Sequence, residues 1–357
     1  MRPNEALLYA ASSANLYNFM GNDDFNTHLD IFKTIVSHSS KAFRDLFDFT
    51  VEELQLLDEG AVFKGLKENS RIFISFHTGS YYMLLAQLLK DGHDVIAMSD
   101  THSIDSGDFT DLTSLYQGQY HNNCHFEMVN VESPGAIFKL IKRLKAGAVG
   151  IAYIDGNKGV GGQTIHNENM LTLDFLHGKV KVRKGIAYIS YLTGIPVQLA
   201  LSHLEEERIY LKVYANSFAP QGEEKEVFVQ QTMQAVLSHF EEYNKKYFMQ
   251  WANWPYVHNW SLIDAFNVET PTPSRQWTNI NEKWKLNLTR FCPLRLKEKN
   301  YLFDRLRYSL SEVEDQYLPL FSYKTGIHEK QMLVTDIITH DPEMTAKLIA
   351  KHFIAPL

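Results

Sequence analysis

Apolar positions along the chain switch repeatedly between a period of two and a period of three to four. RIFISF (71–76) is rich in β-branched and aromatic side chains and predicts a strand. YYMLLAQLLK (81–90) has helical spacing and stops at Gly92. DVIAM (94–98) and HFEMV (125–129) predict two more strands, with a helix over 107–118 between them. AIFKLIKRLK (136–145) predicts an amphipathic helix closed by Gly147. AVGIAYI (148–154) is apolar throughout, the pattern of a strand covered on both faces. After a helix over 184–193, PVQLALSH (196–203) and RIYLKVY (208–214) predict a hairpin turned by the acidic LEEE. FVQQTMQAVLSHFEEYNKKY (228–247) predicts a long helix with Val229, Met233, Val236, Leu237 and Phe240 on one face.

Upstream of these, residues 1–65 read as helical. Leu29, Ile31, Phe32 and Ile35 form one stripe, and Phe43, Leu46 and Phe47 continue one. Thr50, with Glu53 three residues on, has the pattern of a helix start. Downstream, the two prolines of VETPTPSRQW (268–277) mark a linker. A tail unit over 290–357 follows. YLFDRLRYSLSEVEDQYLPLF (301–321) carries a strand-like pair and a helix, and a last helix begins with Asp341 as N-cap and Pro342 at its first position. Strand–helix alternation of this kind predicts an α/β fold, a mostly parallel sheet flanked by helices, preceded by a helical N-terminal region.

Composition narrows the classes. Of 357 residues, 45% are hydrophobic and 22% charged, which fits an ordinary folded chain and excludes a disordered or collagen-like one. The net charge of −7 argues against nucleic acid as a partner, because phosphate contacts need clustered positive charge. Cys124 and Cys292 are too few for a disulfide framework and predict reduced thiols. No apolar run is long enough to span a bilayer, and MRPNEALLYAASSANLYNF lacks the basic start and long apolar stretch of a signal peptide. The expectation is a soluble, cytoplasmic protein with at most peripheral membrane contact.

In open α/β sheets, ligands bind beyond the carboxyl ends of the strands. Two segments lie there. Phe76-His77-Thr78-Gly79-Ser80-Tyr81-Tyr82 follows the first strand of the sheet. His77 has the chemistry to take a proton from an attacking hydroxyl or amine near neutral pH, and otherwise caps the next helix. Gly79 allows close backbone approach to a ligand. Ile154-Asp155-Gly156-Asn157-Lys158-Gly159 follows a later strand. Asp155 either orients His77, binds substrate, or bonds its own backbone as a turn aspartate. This loop lacks the Gly-Lys-Ser/Thr ending of a phosphate loop.

Three further groups of residues have chemistry of their own. His121, Cys124 and His125 fall within five residues, but no further ligand is nearby, so no metal site is expected. Lys179, Lys181, Arg183 and Lys184 precede a helix and either hold a phosphate or phosphopantetheine arm or form a solvated loop. The aromatics of YFMQWANWPYVHNW (247–260) line an apolar channel or, as is more usual, fill a core.

The order of four blocks resembles the bacterial late acyltransferases of lipid A biosynthesis, within the lysophospholipid and glycerolphosphate acyltransferase superfamily. FHTGSYYMLLAQLLKDGHDVIAM resembles the family's histidine block, and KLIKRLKAGAVGIAYIDGNKG its helix-Gly-strand-Asp block. FLHGKVKVRKGIAYISYLTGIPVQLAL resembles the block around the late Thr-Gly-x-Pro-Val strand, and FEEYNKKYFMQWANWPYVHNW the aromatic ending with its Gln/Trp pair. The match covers roughly residues 20 to 260. No one motif is specific, whereas their order and spacing together are.

Three departures stand out. The family places an Asp or Glu five positions after its histidine, where this chain has Tyr82, a phenol that is neutral at pH 7. No N-terminal membrane anchor of the kind common in lipid A enzymes is expected from these residues, and the basic ending is replaced by Pro255-Tyr256-Val257-His258-Asn259-Trp260.

The resemblance implies a soluble acyltransferase. His77 would be the general base, with Asp155 beside it, and Gly79, Ser80, Tyr82, Lys158 and Arg183 would contact substrate. It implies no tightly bound cofactor and no metal. The donor would be an acyl thioester on the phosphopantetheine of an acyl carrier protein or on coenzyme A. An acyl carrier protein is the expected partner, and the acceptor would be an amine or hydroxyl on a small molecule or peptide. The missing acid keeps two other readings open: a non-catalytic acyl, carrier-protein or peptide binder on the same scaffold, and a thioester hydrolase. The implied layout is a glycerolphosphate-acyltransferase-like domain over 1–267, a linker over 268–289, and a small α+β or winged-helix-like domain over 290–357. The last of these faintly resembles peptide-recognition domains of the PqqD type, and otherwise reads as a helical cap.

Overall fold

The computed structural model describes residues 3–155, 169–262, 284–297, 299–314, 342–351 and 353–356. The 268–277 segment, Lys158 and Asp341 lie outside them. Two compact units emerge: Lys33–Asn253 with Asn259–Ser261, and Met1–Phe32 with Trp254–His258 and Leu262–Leu357. The order along the chain does not show this grouping, in which the N-terminal helix belongs with the tail.

The larger unit is built on a seven-stranded sheet. Its strands are β1 (Gln55–Asp58), β2 (Ile72–Ser75), β3 (Asp94–Ser99), β4 (His125–Asn130), β5 (Val149–Tyr153), β8 (Val197–Glu205) and β9 (Arg208–Phe218). The spatial order is β1-β9-β8-β2-β5-β3-β4. All pairs are parallel except β8 with β9, so five strands run one way, and β1 and β9, at one side of the sheet, run the other. β2 and β5 lie inside the sheet, and burial of Ile72, Phe73, Ile74, Val149, Ile151 and Ala152 explains their unbroken apolar runs.

Helices α4 (Met83–Lys90), α7 (Ala136–Lys145), α8 (Gly185–Thr193) and α9 (Lys225–Tyr247) match the predicted ones. The 107–118 helix is instead two, α5 (Thr101–Asp105) and α6 (Leu112–Tyr120). A strand, β1, interrupts the region read as helical, with α3 (Val62–Gly65) after it. A second hairpin, β6 (Met170–Phe175) with β7 (Gly178–Arg183), precedes α8. No helix of the described residues is long and apolar enough to cross a membrane.

In the smaller unit, α1 (Pro3–Met20) lays Ala6, Tyr9, Ala10, Ala11 and Ala14 against Cys292, Leu294 and Phe303. Those three belong to a small antiparallel sheet of β11 (Phe291–Leu296), β12 (Lys299–Asp304) and β13 (Ser309–Glu312). β10 (Trp284–Leu286) pairs with β14 (Ile354–Pro356), and α10 spans Pro342–Ala350. Helix α2 (His28–Phe47) contains the boundary between the units.

A polar network is buried in this smaller unit. Ser13 Oγ lies 2.7 Å from His28 Nδ1 and accepts from Arg305 Nε at 3.0 Å. Asn15 donates to the Trp254 carbonyl at 2.6 Å and accepts from the Tyr308 hydroxyl at 2.7 Å. Burial, reinforced by the Arg305 charge, lowers the His28 pKa to about 4. A folded value below the unfolded one means the neutral ring stabilises the fold fully above about pH 6.5 and that this is lost as pH falls toward 4. For His28 the expected loss is on the order of 3 kcal/mol. Thermal melts should therefore shift down between about pH 6.5 and pH 4, and His28→Gln should flatten that slope.

Candidate active site

β2 and β5 are adjacent and parallel, with Ser75 opposite Tyr153. Each chain leaves the sheet at the same level, so two residues further on His77 and Asp155 meet. The connection out of β2 leads to β3 on one side, and the connection out of β5 leads to β8 on the other. The loops diverge there, as they do at ligand sites in open α/β sheets.

Asp155 is fully buried and accepts from four donor groups. Oδ1 lies 2.7 Å from His77 Nδ1. Oδ2 accepts from the His77 backbone N–H at 3.0 Å, Trp251 Nε1 at 2.7 Å and Asn253 Nδ2 at 2.9 Å. Burial pushes the carboxyl pKa up, but the His77 charge and the bonds from His77, Trp251 and Asn253 outweigh it and hold Asp155 below the ordinary carboxylate value. An ionised carboxylate has only lone pairs to offer, so Nδ1 carries the proton and Nε2 is left as the acceptor.

The rest of the loop is held by the chain after α9. Ala252 N donates to the His77 carbonyl at 2.8 Å and Gly79 N to the Gln250 carbonyl at 3.1 Å, and Thr78 bridges Trp251. The Gln250 amide in turn closes on Leu204, accepting from its N–H at 2.8 Å and donating to its carbonyl at 2.7 Å. Trp251 and Asn253 were not among the sequence candidates. Trp251 read as one aromatic in an apolar stretch, and nothing in the spacing marks Asn253.

His77 is the partner of this arrangement that reaches a ligand space. Its side chain is 25% exposed and lines a cavity of about 580 Å³. The lining is largely apolar, with Leu85, Ala97, Phe126, Met128, Leu140 and Ile151 on it. Asp100, Ser103, Ser106 and Asp108 add polar groups. The rings of Tyr81 and Tyr153 stand 4.8 Å and 4.9 Å from the imidazole. Burial raises the pKa of Tyr81, Tyr82 and Tyr153, so all three phenols stay neutral.

The other candidates fall as follows. Tyr82 lines the cavity and packs on Phe43 and Phe109, and the carboxylate beside His77 is that of Asp155. Gly79 does approach a backbone closely, but that of β8: a Cβ there would stand 2.6 Å from the Ser202 carbonyl oxygen. The buried Ser80 hydroxyl donates to Asp45, which Lys41 pairs at 2.7 Å. The backbone N–H groups of His77, Thr78 and Gly79 are all taken, by Asp155, the Phe76 carbonyl and the Gln250 carbonyl respectively. Of the basic cluster, Arg183 lines the cavity, while Lys179 pairs with Asp174 and Lys184 with Glu226 at 3.8 Å. Cys124 is buried in the core, whereas His121 and His125 are exposed. No group of three or more His, Cys, Asp or Glu side chains among the described residues is placed to hold a metal ion.

No family model matches the chain, and no curated protein matches it. Among solved structures it is similar to the 1-acyl-sn-glycerophosphate (LPA) acyltransferase PlsC from Thermotoga maritima. That likeness covers 67% of this chain and 95% of that one, at 16% sequence identity and a TM-score of 0.33.

Proposed function

We propose that the chain is an acyltransferase that moves an acyl group from a thioester to an amine or hydroxyl acceptor. One observation carries the reading: His77, its Nδ1 held by the buried Asp155 at 2.7 Å, lines a largely apolar cavity of about 580 Å³. That volume lies in the range of small-molecule sites and suits an acyl chain.

In this reading Nε2 of His77 takes the proton from the acceptor O–H or N–H as that atom attacks the thioester carbonyl carbon. The new C–O or C–N bond forms, a tetrahedral oxyanion collapses, and the C–S bond breaks. The thiolate leaves and recovers the proton from His77. Asp155 keeps the ring in the reactive tautomer and stabilises its transient charge. The N–H groups of His77, Thr78 and Gly79 are occupied, and Arg183 lines the cavity, where its guanidinium would meet the oxyanion or the phosphate of a phosphopantetheine or coenzyme A donor.

The test is product mass after incubation with acyl carrier protein and coenzyme A thioesters and a panel of amine and hydroxyl acceptors. An acyl adduct that disappears with His77→Ala is expected. Thioester loss without an adduct would make the protein a hydrolase. Donor binding with no turnover, unchanged by His77→Ala, would make it a binding protein.

A further inference from the structure

The three phenols near His77 differ in where their protons go. The Tyr153 hydroxyl donates to the Tyr81 carbonyl at 2.8 Å, so its proton is committed. The rings of Tyr81 and Tyr82 stand 4.5 Å apart, and their hydroxyls are hydrogen-bonded to each other. Burial raises the pKa of both, but the bond between them raises that of Tyr81 and lowers that of Tyr82. A donor resists losing its proton, whereas an acceptor is favoured as an anion, so Tyr81 donates and Tyr82 accepts. The Tyr82 proton is then left over, and among the described residues no protein group takes it.

Tyr82 is also the member of that pair placed to use its proton. It lines the cavity together with His77, whereas Tyr81 is buried and does not. The Tyr153 ring stands 4.9 Å from the imidazole and 6.2 Å from the Tyr82 ring, so base and phenol flank one residue of the cavity wall. Phe43 and Phe109 pack on the Tyr82 ring at 6.1 Å and 5.5 Å and fix its direction. Accepting from Tyr81 polarises the Tyr82 O–H and makes it a stronger donor. Asp108 acts on Tyr82 by charge, but it is exposed and water screens it. An oxyanion formed at His77 needs a donor, and the N–H groups of His77, Thr78 and Gly79 are taken.

We propose that the Tyr82 hydroxyl is the cavity's oxyanion donor, with Tyr81 as the positioning residue that leaves its proton to the ligand. The role in turnover rests on the acyl-transfer reading. As the acceptor atom attacks, the carbonyl π pair moves onto oxygen and the Tyr82 O–H holds it. The pair returns as the C–S bond breaks, and Tyr82 keeps its proton throughout. Arg183 is then left to the phosphate of the donor. A carboxylate at position 82 has no proton to give and would repel the oxyanion. Because Asp155 already orients His77, position 82 is released for a neutral donor.

The test sets calorimetric binding beside turnover. Decylphosphonate carries a tetrahedral anionic head on an apolar chain, and decanol carries the chain without the charge. The wild type should bind the phosphonate more tightly than the alcohol. Tyr82→Phe keeps the ring and should weaken phosphonate binding about 10- to 100-fold while leaving decanol unchanged. Tyr81→Phe should weaken it by only about twofold, since the Tyr82 proton remains. With a thioester and acceptor that give an adduct, Tyr82→Phe should lower kcat about 10²- to 10³-fold and change the donor KM by less than about twofold, a split that lost packing would not produce. Phosphonate binding or kcat that survives Tyr82→Phe overturns the proposal. So does tighter phosphonate binding by Tyr81→Phe, which would mean that the bond runs from Tyr82 to Tyr81. A wild type that makes no adduct yet loses phosphonate affinity with Tyr82→Phe would sink the acyl-transfer reading and leave the Tyr82 donor standing.

Discussion

Asp155→Asn is expected to cost about 10²- to 10⁴-fold in turnover while leaving the fold intact. The two carboxylate oxygens are not equivalent. Oδ2 takes three donors, the His77 backbone N–H, Trp251 Nε1 and Asn253 Nδ2, and Oδ1 faces only His77 Nδ1. An asparagine that kept its oxygen at the Oδ2 position would satisfy all three donors. Turned the other way, its NH₂ would confront three donors in a buried site, a loss of several hydrogen bonds at about 1–3 kcal/mol each. The first orientation wins, and it aims the NH₂ at His77 Nδ1. That nitrogen must then accept, the ring proton moves to Nε2, and the base facing the cavity is gone. Nitrogen-15 NMR of His77 reads this without any substrate: the Nδ1–H tautomer in the wild type and Nε2–H in the variant. A variant that keeps Nδ1–H, or full activity, would remove Asp155 from the mechanism. Asp155→Ala would be a poorer probe, because it strands all the donors and confounds chemistry with stability.

The same pair of residues shows what a reader of the sequence could and could not see. His77 and Asp155 each stand out locally, because a polar residue follows an unbroken apolar strand. Their contact depends on β2 lying next to β5, whereas the chain visits β3 and β4 in between. Strand order is a property of the crossover connections, and no local pattern encodes it. Trp251 and Asn253 come from nearly a hundred residues further along, and only the return of the chain past the histidine loop brings them to Asp155.

Elements with a strong period were legible, and those without one were not. β2 and β5 are apolar because they are covered on both sides, and α9 shows its buried face plainly. β1 is a four-residue edge strand with Leu56 and Leu57 exposed, so alternation never marks it. The β6–β7 hairpin did carry a period of two, with Leu173, Phe175, Val180 and Val182 buried. Its intervening lysines invite a reading as a basic cluster, although only Arg183 among those cations lines the cavity. The pairing of α1 with β11 spans almost the whole chain, and its alanine-rich face is too weakly amphipathic to announce a partner.

Gly79→Ala should be the most damaging single-methyl change in the larger unit, costing more than about 3 kcal/mol. Two effects combine. Gly79 sits at φ +57°, a left-handed conformation that costs an L-residue roughly 1–2 kcal/mol. The added Cβ would also stand 2.6 Å from the Ser202 oxygen and 2.7 Å from the His203 Cα. Both are backbone atoms of β8, which is paired to β2 on one side and β9 on the other, so the obstacle cannot swing away. The loop cannot retreat easily either, because Gly79 N is bonded to Gln250 and Thr78 bridges Trp251. Any molecules that do fold must shift the segment carrying His77 away from Asp155, so residual activity should fall with stability. Gly118→Ala supplies the contrast. Gly118 lies in α6 on the surface, with nothing within 4 Å of its would-be Cβ. There the methyl should stabilise by about 0.5–1 kcal/mol, because alanine restricts the unfolded chain and favours the helix. Denaturant titrations of the two variants should move in opposite directions. A Gly79→Ala protein as stable as the wild type would mean that the histidine loop is not pinned against β8 as described.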